Sequence, residues 1–307
     1  MRIAYLILAH NNPEHLLRLI HSLSTTDSSF FIHIDKKTPF YSFKRIQAPN
    51  VFFAKQRLAV HWGEFSLVEA TLHLVQQALD SPCGCDYLVL LSGVDYPLQS
   101  PRYIENFFQK NRGREFINLV TMPCEAAGKH ISRLTEYQLQ STSTLNRLLK
   151  KTVCNTRLLR RRRDYRNVLN GLNPCAGSQW WALSREACLY ILHFTENAPD
   201  ICDFYRHTLI PDEMFFQTIL GNSVFQQSLA GNITFSQWSG GRSPAMLHLG
   251  KLQSLQPGLP FMQEDAYGKR EALFARKFAD SSAPLLAELD TAIRQKEADW
   301  LAGEAAC

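Results

Sequence analysis

The sequence has 307 residues, 45% of them hydrophobic, so the chain can bury a sizeable core in one large domain or two small ones. This composition does not predict an intrinsically disordered protein. The 33 Lys and Arg residues outnumber the 28 Asp and Glu residues, and the formal charge of +5 is mild. Much of the excess lies in one basic run, formed by Lys150, Lys151, Arg157 and the four arginines at 160–163. Such a run is most often a solvated loop and less often a contact for phosphate groups or an anionic membrane surface.

We expect neither a signal peptide nor a membrane-spanning helix. The apolar run at residues 3–9 follows Met1 almost directly, after Arg2 alone and without a cleavage site, and it is shorter than the roughly 20 residues that a spanning helix needs. We therefore expect a cytoplasmic protein. The eight cysteines show no CxxC spacing, which favours reduced thiols over a zinc or redox site.

Strands and helices alternate in the first hundred residues. The apolar run at residues 3–9 predicts a buried strand, and Asn12 and Pro13 predict the capped start of an amphipathic helix after it. Further strands are predicted over residues 30–35, 51–54 and 86–92, and a helix over residues 66–79. A strand, a polar turn and an amphipathic helix form the opening of a βαβ unit, so the pattern predicts an α/β fold.

Two of these strands deliver carboxylates to the same place. Asp35 ends the second predicted strand, and Asp95 follows the strand at 86–92. Ligands of open α/β sheets bind at the carboxyl edge, where a carboxylate can accept hydrogen bonds from a ribose or a base. No GxGxxG follows the first strand, which argues against a dinucleotide dehydrogenase.

Beyond residue 100 the pattern predicts a helix over 102–110 and a strand over 115–120. It then loses its regularity between residues 123 and 171, which we interpret as a variable, partly helical insertion. The stretches 272–278 and 284–296 predict a C-terminal helical tail at about residues 265–300. No repeat or low-complexity linker divides the chain, which favours a single domain over residues 1–307.

The stretch 177–220 contains a candidate catalytic carboxylate. Pro211 and Asp212 are typical helix-entry residues, which would place Glu213 in the first turn of an apolar helix and near the positive end of its dipole. A carboxylate kept ionised there suits a general base, and the nearby Trp180 and Trp181 could cover a sugar ring. Acidic residues are also common in first helical turns for stability, and a Trp pair is usually part of the core. On this stretch alone, the structural alternative is favoured.

Eight motifs occur in an order that resembles a known family. They are AYLILAH, FFIHIDKK, HWGEFSLVEATL, DYLVLLSGVDYPL, GSQWWALSREA, PDEMFFQTIL, QWSGG and LFARKF. The chain resembles the core-2/I-branching β-1,6-N-acetylglucosaminyltransferases and peptide O-xylosyltransferases of glycosyltransferase family 14, and is similar to a bacterial-type soluble member. The likeness covers most of the chain, and its last two motifs are especially similar to xylosyltransferases. The insertion at 123–171 matches poorly.

The resemblance implies a GT-A type fold, a nucleotide-sugar-binding α/β sandwich with a mixed, mostly parallel central sheet. It further implies transfer of a sugar from UDP-N-acetylglucosamine or UDP-xylose with inversion, without a metal or any cofactor beyond the UDP-sugar. The sequence agrees in containing no Asp-x-Asp, the usual seat of a divalent ion in this fold. A cationic side chain must then stabilise the departing UDP.

The resemblance also implies roles for individual residues. Glu213 matches the catalytic base, and Lys277, with Arg276 beside it, matches the lysine that binds the diphosphate. The remaining residues implied to bind the donor are Ala9, His10, Asp35, Trp62, Gly63, Glu64, Asp95, Ser178 and Arg242. Trp180 and Trp181 are implied to face the acceptor sugar. Without the ordered family match, these residues would be interpreted as strand-end caps, turn residues, core residues and solvent-facing charges.

Three functions remain open at this stage. The preferred one is a transferase acting on a glycan or lipid-linked precursor, with the basic run as a possible peripheral contact to an anionic membrane. The second is a nucleotide-sugar-binding protein that has lost catalysis, although both Glu213 and Lys277 are present. The third, a nucleic-acid-binding domain, is disfavoured because the basic run lacks interleaved aromatic residues.

Overall fold

A seven-stranded mixed sheet forms the centre of the fold in the computed structural model, which describes residues 1–141, 163–238, 244–247 and 260–305. In spatial order its strands are β10 (Leu229–Ala230), β6 (Glu115–Ile117), β9 (Trp181–Ser184), β4 (Tyr87–Ser92), β1 (Ile3–Ala9), β2 (Ser28–Ile34) and β3 (Val51–Phe53). Strand β9 runs antiparallel to both neighbours, and the other adjacent pairs are parallel. The predicted α/β class with a mostly parallel central sheet is confirmed.

Helices cover both faces of this sheet. They are α1 (Pro13–Leu23), α2 (Ser66–Leu79), α3 (Pro101–Lys110), α4 (Ser132–Thr135), α5 (Tyr165–Leu169), α6 (Arg185–Asn197), α7 (Pro199–Arg206), α8 (Phe215–Gly221) and α9 (Ala283–Ala305). The predicted cap of α1 is present, because Oδ1 of Asn12 accepts a hydrogen bond from the backbone N–H of His15. Helices α4 and α5 lie in the predicted insertion and confirm that its described part is partly helical.

Strand β1 separates two hydrophobic cores. Every residue of β1 is buried, and successive side chains of a strand point to opposite faces. Ile3, Tyr5 and Ile7 pack with α1, α3 and α9, whereas Ala4, Leu6 and Leu8 pack with α2, α6, α7 and α8. A strand buried on both faces has a continuous apolar sequence, which explains why IAYLILA could be recognised as a strand.

A second, three-stranded sheet corrects the prediction for residues 272–278. This segment was expected to be helical, but its centre forms β14 (Phe274–Arg276), between β5 (Asp95–Pro97) and β11 (Thr234–Ser236). Residues 272–275 are all completely buried, and a short apolar run buried on all sides shows neither helical nor strand periodicity.

The predicted C-terminal helical tail starts later than expected. Residues 262–271 form a hairpin of β12 (Met262–Asp265) and β13 (Gly268–Glu271), and the tail is the single helix α9. Asp290 of α9 accepts hydrogen bonds from Nη2 of Arg18 at 2.6 Å and from the hydroxyl of Tyr96 at 2.7 Å. Helix α9 is thereby fixed to both α1 and β5.

The carboxyl edge of the central sheet brings the predicted site segments together. The parallel strands β1, β2, β4 and β6 end there, and the antiparallel β9 begins there. The segments that follow Ala9, Ile34 and Ser92 and the segment that precedes Trp181 therefore share one edge. Ligands of such sheets bind at this edge, so the fold positions the candidate site where the sequence predicted it.

Gly177 permits a close backbone contact at this edge. A Cβ atom on Gly177 would lie 1.7 Å from the carbonyl oxygen of Asn118, the residue after β6. No side chain fits there unless the backbone shifts, and the Gly177 N–H also donates a hydrogen bond to the Glu213 carbonyl at 2.8 Å.

We predict that Gly177→Ala lowers the free energy of unfolding by about 3 kcal/mol, because the new methyl group collides with backbone atoms that have little room to move. Chemical denaturation measures the change. The control is Gly113→Ala, where φ is +83° and a new methyl group would meet no atom within 4 Å, so that only backbone strain of about 1 kcal/mol is expected. Equal losses in the two variants would contradict the steric explanation.

Candidate active site

Glu213 lies in a tight turn at the carboxyl edge and not in an α-helix. Ile210 adopts a left-handed conformation with φ of 54°, Pro211–Glu213 forms a 3₁₀ turn, and Met214 interrupts the helical path with φ of −138°. Helix α8 begins only at Phe215. The prediction that Glu213 opens this helix is therefore wrong, and its setting is defined by side chains and not by a helix dipole.

Two cationic side chains hold the Glu213 carboxylate. Nζ of Lys129 and Nη1 of Arg133 donate to the same oxygen, Oε2, at 2.6 and 2.7 Å. The side chains of Lys129, Arg133 and Glu213 are 7%, 15% and 22% exposed, so the pairs are shielded from solvent. Burial lowers the pKa of Lys129, and the charge of Glu213 opposes this shift. We name this group, Lys129, Arg133 and Glu213, the carboxylate clamp.

Sequence reasoning missed both cations of the carboxylate clamp. Lys129 and Arg133 lie at the start of the insertion that was predicted to be variable. A Lys and an Arg four residues apart also occur on countless solvent-exposed segments, so their spacing carries no signal. Only the tertiary structure brings them to a carboxylate 80 or more residues away in the chain.

The segment 177–180 is hydrogen-bonded to the turn of Glu213 and to the helix that follows it. Beyond the bond from Gly177, Nε2 of Gln217 donates to the Ser178 carbonyl at 2.7 Å, and Oγ of Ser178 accepts a hydrogen bond from the Trp180 N–H. The guanidinium carbon of Arg276 lies 4.2 Å from the centre of the Trp180 ring. This segment therefore connects the turn of Glu213 with the segment that carries Arg276 and Lys277.

The two tryptophans do not offer an open face to a sugar. Trp181 is 1% exposed and packs in the core with its ring centre 5.6 Å from that of Phe216. Trp180 is 5% exposed and is covered by Arg276. The structure thus contradicts the predicted acceptor role of Trp181 and gives Trp180 a packing role, because apolar indoles at the start of a central strand are buried under α8 and β14.

Asp95 anchors Arg276. The Asp95 side chain is fully buried, and its Oδ1 accepts a hydrogen bond from Nε of Arg276 at 3.0 Å while Oδ2 accepts one from the Ser92 N–H at 2.8 Å. The Ser92 hydroxyl also donates to Oδ1. Both carboxylate oxygens are used inside the protein, so Asp95 holds Arg276 in place and is not free to line a sugar pocket as predicted.

Lys277 is the residue after Arg276 and lies at the end of β14. Its side chain is half-buried, and burial together with the adjacent charge of Arg276 lowers the pKa of Lys277, whereas Asp95 opposes the shift. Its carbonyl accepts a hydrogen bond from the Leu247 N–H, and the next residue, Phe278, donates to the Val94 carbonyl. Lys277 is thus held beside the loop that follows β4.

Asp35, Ala9 and His10 lie together at the carboxyl ends of β1 and β2. The Asp35 N–H donates to the Ala9 carbonyl at 2.9 Å, and the Thr38 hydroxyl donates to the His10 carbonyl at 2.8 Å. The Asp35 carboxylate accepts a hydrogen bond from the Lys37 N–H and lies 3.3 Å from the Lys37 ammonium. These contacts describe a strand-end cap, and they leave the implied role at the uridine a prediction.

The turn of Trp62, Gly63 and Glu64 is hydrogen-bonded to the segment that precedes Glu213. The Gly63 carbonyl accepts a hydrogen bond from the Ile210 N–H at 3.0 Å, and Trp62 is 72% exposed beside it. Glu64 is buried and accepts hydrogen bonds from the N–H and hydroxyl of Ser141. These contacts join the turn to the segment before Glu213 and to the insertion.

Tyr267 is a further residue near the carboxylate clamp that the sequence did not reveal. It lies at the turn of the β12–β13 hairpin, which Arg270 fixes by hydrogen bonds to Asp265 and to the Asn232 carbonyl. Burial, and after it the negative charges of Glu213 and Asp265, raise the pKa of Tyr267. Tyr267 therefore lies within electrostatic range of the carboxylate clamp.

Some predicted residues lie outside the described part of the chain. These are Arg242 and all of the basic run except Arg163. The Arg163 guanidinium donates to the carbonyls of Phe204 and His207 and stacks on the Phe204 ring at 3.7 Å. Arg163 is thus engaged within the fold.

Metal-ligand clusters and spanning helices are both absent from the described residues. In residues 1–141, 163–238, 244–247 and 260–305, no three His, Cys, Asp or Glu side chains are grouped as metal ligands would be. Within the same ranges, no helix combines the length and the apolar character needed to cross a bilayer.

Several known proteins are similar to this chain. The Drosophila pseudoobscura pseudoobscura protein xylosyltransferase oxt is 28% identical over 226 residues, and xylosyltransferase 2 of Canis lupus familiaris is 28% identical over 225 residues. Each alignment covers 71% of this chain but 24% of the relative, so the chain matches about a quarter of the length of these proteins. The apo crystal structure of mouse xyloside xylosyltransferase 1 aligns with a TM-score of 0.35 and 12% identity, over 89% of this chain and 97% of that one.

A family model described as Core-2/I-Branching enzyme matches residues 3–257. The matched residues include the carboxylate clamp, the segment 177–180 and the parallel strands that end at the carboxyl edge. Because they make up well over half of the sequence, the chain belongs to the Core-2/I-Branching enzyme family.

Proposed function

We propose that this protein is a glycosyltransferase that moves xylose or N-acetylglucosamine from a UDP-sugar to an acceptor hydroxyl, with Glu213 as the general base. The observation that supports this most is the carboxylate clamp. Both cations bind Oε2 of Glu213, and no hydrogen bond within the described residues reaches Oε1. One oxygen is thus fixed by the protein, and the other is left for a substrate proton.

The proposed reaction is a single displacement. The acceptor oxygen forms a bond to the anomeric carbon of the sugar while its proton moves to the Glu213 carboxylate. The bond between the anomeric carbon and the β-phosphate oxygen breaks, and its electron pair leaves with UDP. Attack from the side opposite to the leaving group inverts the anomeric configuration.

Lys277 is proposed to stabilise the departing diphosphate, because negative charge grows on the leaving oxygen in the transition state. Backbone hydrogen bonds hold Lys277 beside the loop after β4, and Nε of its neighbour Arg276 is already engaged by Asp95. The lysine would then supply the charge that a divalent ion supplies elsewhere, so we propose catalysis without a metal or other cofactor.

The donor nucleotide is proposed to bind along the ends of β1 and β2, near Ala9, His10 and Asp35, in a GT-A type domain that spans residues 1–307. The proposed acceptor is a glycan or a lipid-linked precursor. Contact of the basic run with an anionic membrane is also part of this proposal. Apart from Arg163, that run lies beyond the described residues.

A nucleotide-sugar-binding protein without catalysis is the second candidate. One observation favours it: the chain matches only about a quarter of the length of its relatives, so it need not share the activity of the whole proteins. The two candidates differ in whether Glu213 is needed for turnover.

We predict that Glu213→Gln lowers the rate of UDP release from the preferred UDP-sugar by about 10²- to 10⁴-fold, the range that general bases contribute. Binding of UDP, measured by calorimetry, should change little because the proposed UDP contacts lie at Lys277 and at the ends of β1 and β2, and not at Glu213. The matched control is Glu125→Gln, an exposed carboxylate in the same insertion as Lys129. Turnover that survives Glu213→Gln would exclude Glu213 as the base.

We predict that Lys277→Ala weakens UDP binding and slows turnover together, because the same charge contacts the diphosphate before and during departure. Lys269→Ala, an exposed lysine of the β12–β13 hairpin, serves as the control. EDTA should leave wild-type turnover unchanged. Inhibition by EDTA that manganese reverses would show that a metal and not Lys277 carries the leaving-group charge.

A further inference from the structure

Asp212 is a buried carboxyl group that the proposed reaction does not use. It is 6% exposed, and its Oδ1 is fully buried without a hydrogen-bond partner in the described part of the chain. Its neighbour Glu213 receives both nearby cations on one oxygen. Of these two adjacent carboxyl groups, Glu213 is paired with two cations and Asp212 has a buried oxygen without a partner in the described residues.

An unpaired carboxylate is expensive to bury, and protonation removes the cost. Burial, followed by the negative charge of Glu213, raises the pKa of Asp212 to about 7. A backbone hydrogen bond of Asp212 opposes this shift, as do Lys129 and Arg133, but both of these cations are bound to Glu213. Asp212 thus carries a proton below neutral pH, and the carboxylate clamp then holds one negative charge between two positive ones.

The surroundings of Asp212 contain few other ionisable groups. Helix α8, which packs against the turn, contains none in its sequence FFQTILG. Helix α2, which also packs there, carries Glu69 and His73, and Glu69 is paired with Arg206. Tyr267 acts on Glu213 from the hairpin. The charges that act on Asp212 are thus Glu213, Lys129 and Arg133.

We propose that Asp212 is a positioning residue for Glu213: in its protonated form it leaves Lys129 and Arg133 to the catalytic carboxylate, and in its ionised form it competes for them. Loss of the Asp212 proton places a second anion within electrostatic range of Lys129 and Arg133. The Glu213 carboxylate then loses the fixed orientation that its role as a base requires. The catalytic part of this inference rests on the proposed function, whereas the ionisation of Asp212 does not.

The catalytic part is tested by the pH profile of UDP release from UDP-xylose and UDP-N-acetylglucosamine. In the wild type the rate should fall by about 10-fold between pH 6 and pH 8. For a pKa of about 7, the fraction of molecules with a protonated Asp212 falls by about 10-fold over this range. In Asp212→Asn, whose amide imitates the protonated acid, the ratio of the two rates should approach one. The control Asp80→Asn, at the exposed end of α2, should keep the wild-type ratio. An unchanged ratio in Asp212→Asn would overturn the positioning role.

The ionisation itself is tested by thermal unfolding, which needs no activity. A folded pKa of about 7 lies above the unfolded value near 4, so the folded wild type binds the extra proton between these values and loses stability as pH rises through them. The Tm of Asp212→Asn relative to wild type should therefore rise from pH 4 to pH 7 and stay constant above pH 7.

A constant difference in Tm would refute the protonated form of Asp212, whatever the enzyme transfers. If no UDP-sugar turns over while the difference in Tm rises as expected, the proposed function fails and the ionisation stands. Should Asp212→Asn not fold, Asp212→Ser replaces it in both measurements, because its hydroxyl stays neutral throughout this pH range.

Discussion

The ion cluster around Glu213 joins parts of the chain that are distant in sequence. The carboxylate belongs to a turn at the sheet edge, and its two cations belong to the insertion that precedes residue 171. Removing one member of a buried ion group leaves the others uncompensated, at a cost of about 3–5 kcal/mol in comparable cases. The position of the carboxylate, the path of the insertion and the packing of the segment 177–180 are therefore energetically linked.

The sheet could be predicted because its strands carry strong local signals. Fully buried parallel strands give continuous apolar runs, and Asn12 and Pro13 mark a helix start by their own chemistry. The prediction failed at residues 272–278, where complete burial of residues 272–275 erases periodicity. It also failed at Glu213, where a left-handed Ile210 and the break at Met214 replace the expected helix entry. Both failures lie where tertiary contacts override local preference.

The candidate site was predictable only in part for a related reason. The order of the strands and the parallel topology place Asp35, Ser92 and Asp95 at one edge, which a pattern of strands and polar turns can reveal. Whether a side chain at that edge faces a ligand depends on its partners: Asp95 turned inward to Arg276, and Trp181 turned into the core. The partners of Glu213 come from residues with no sequence signal of their own.

The family match ends at residue 257, but strand β14, which lies beyond it, supports the candidate site. It is hydrogen-bonded on one side to β11 and on the other to β5, so it fills the middle of the small sheet. A polypeptide ended at the family boundary would leave two strand edges bare and Asp95 buried without its guanidinium partner. The boundary drawn by sequence similarity thus cuts through the small sheet and separates Asp95 from its partner Arg276.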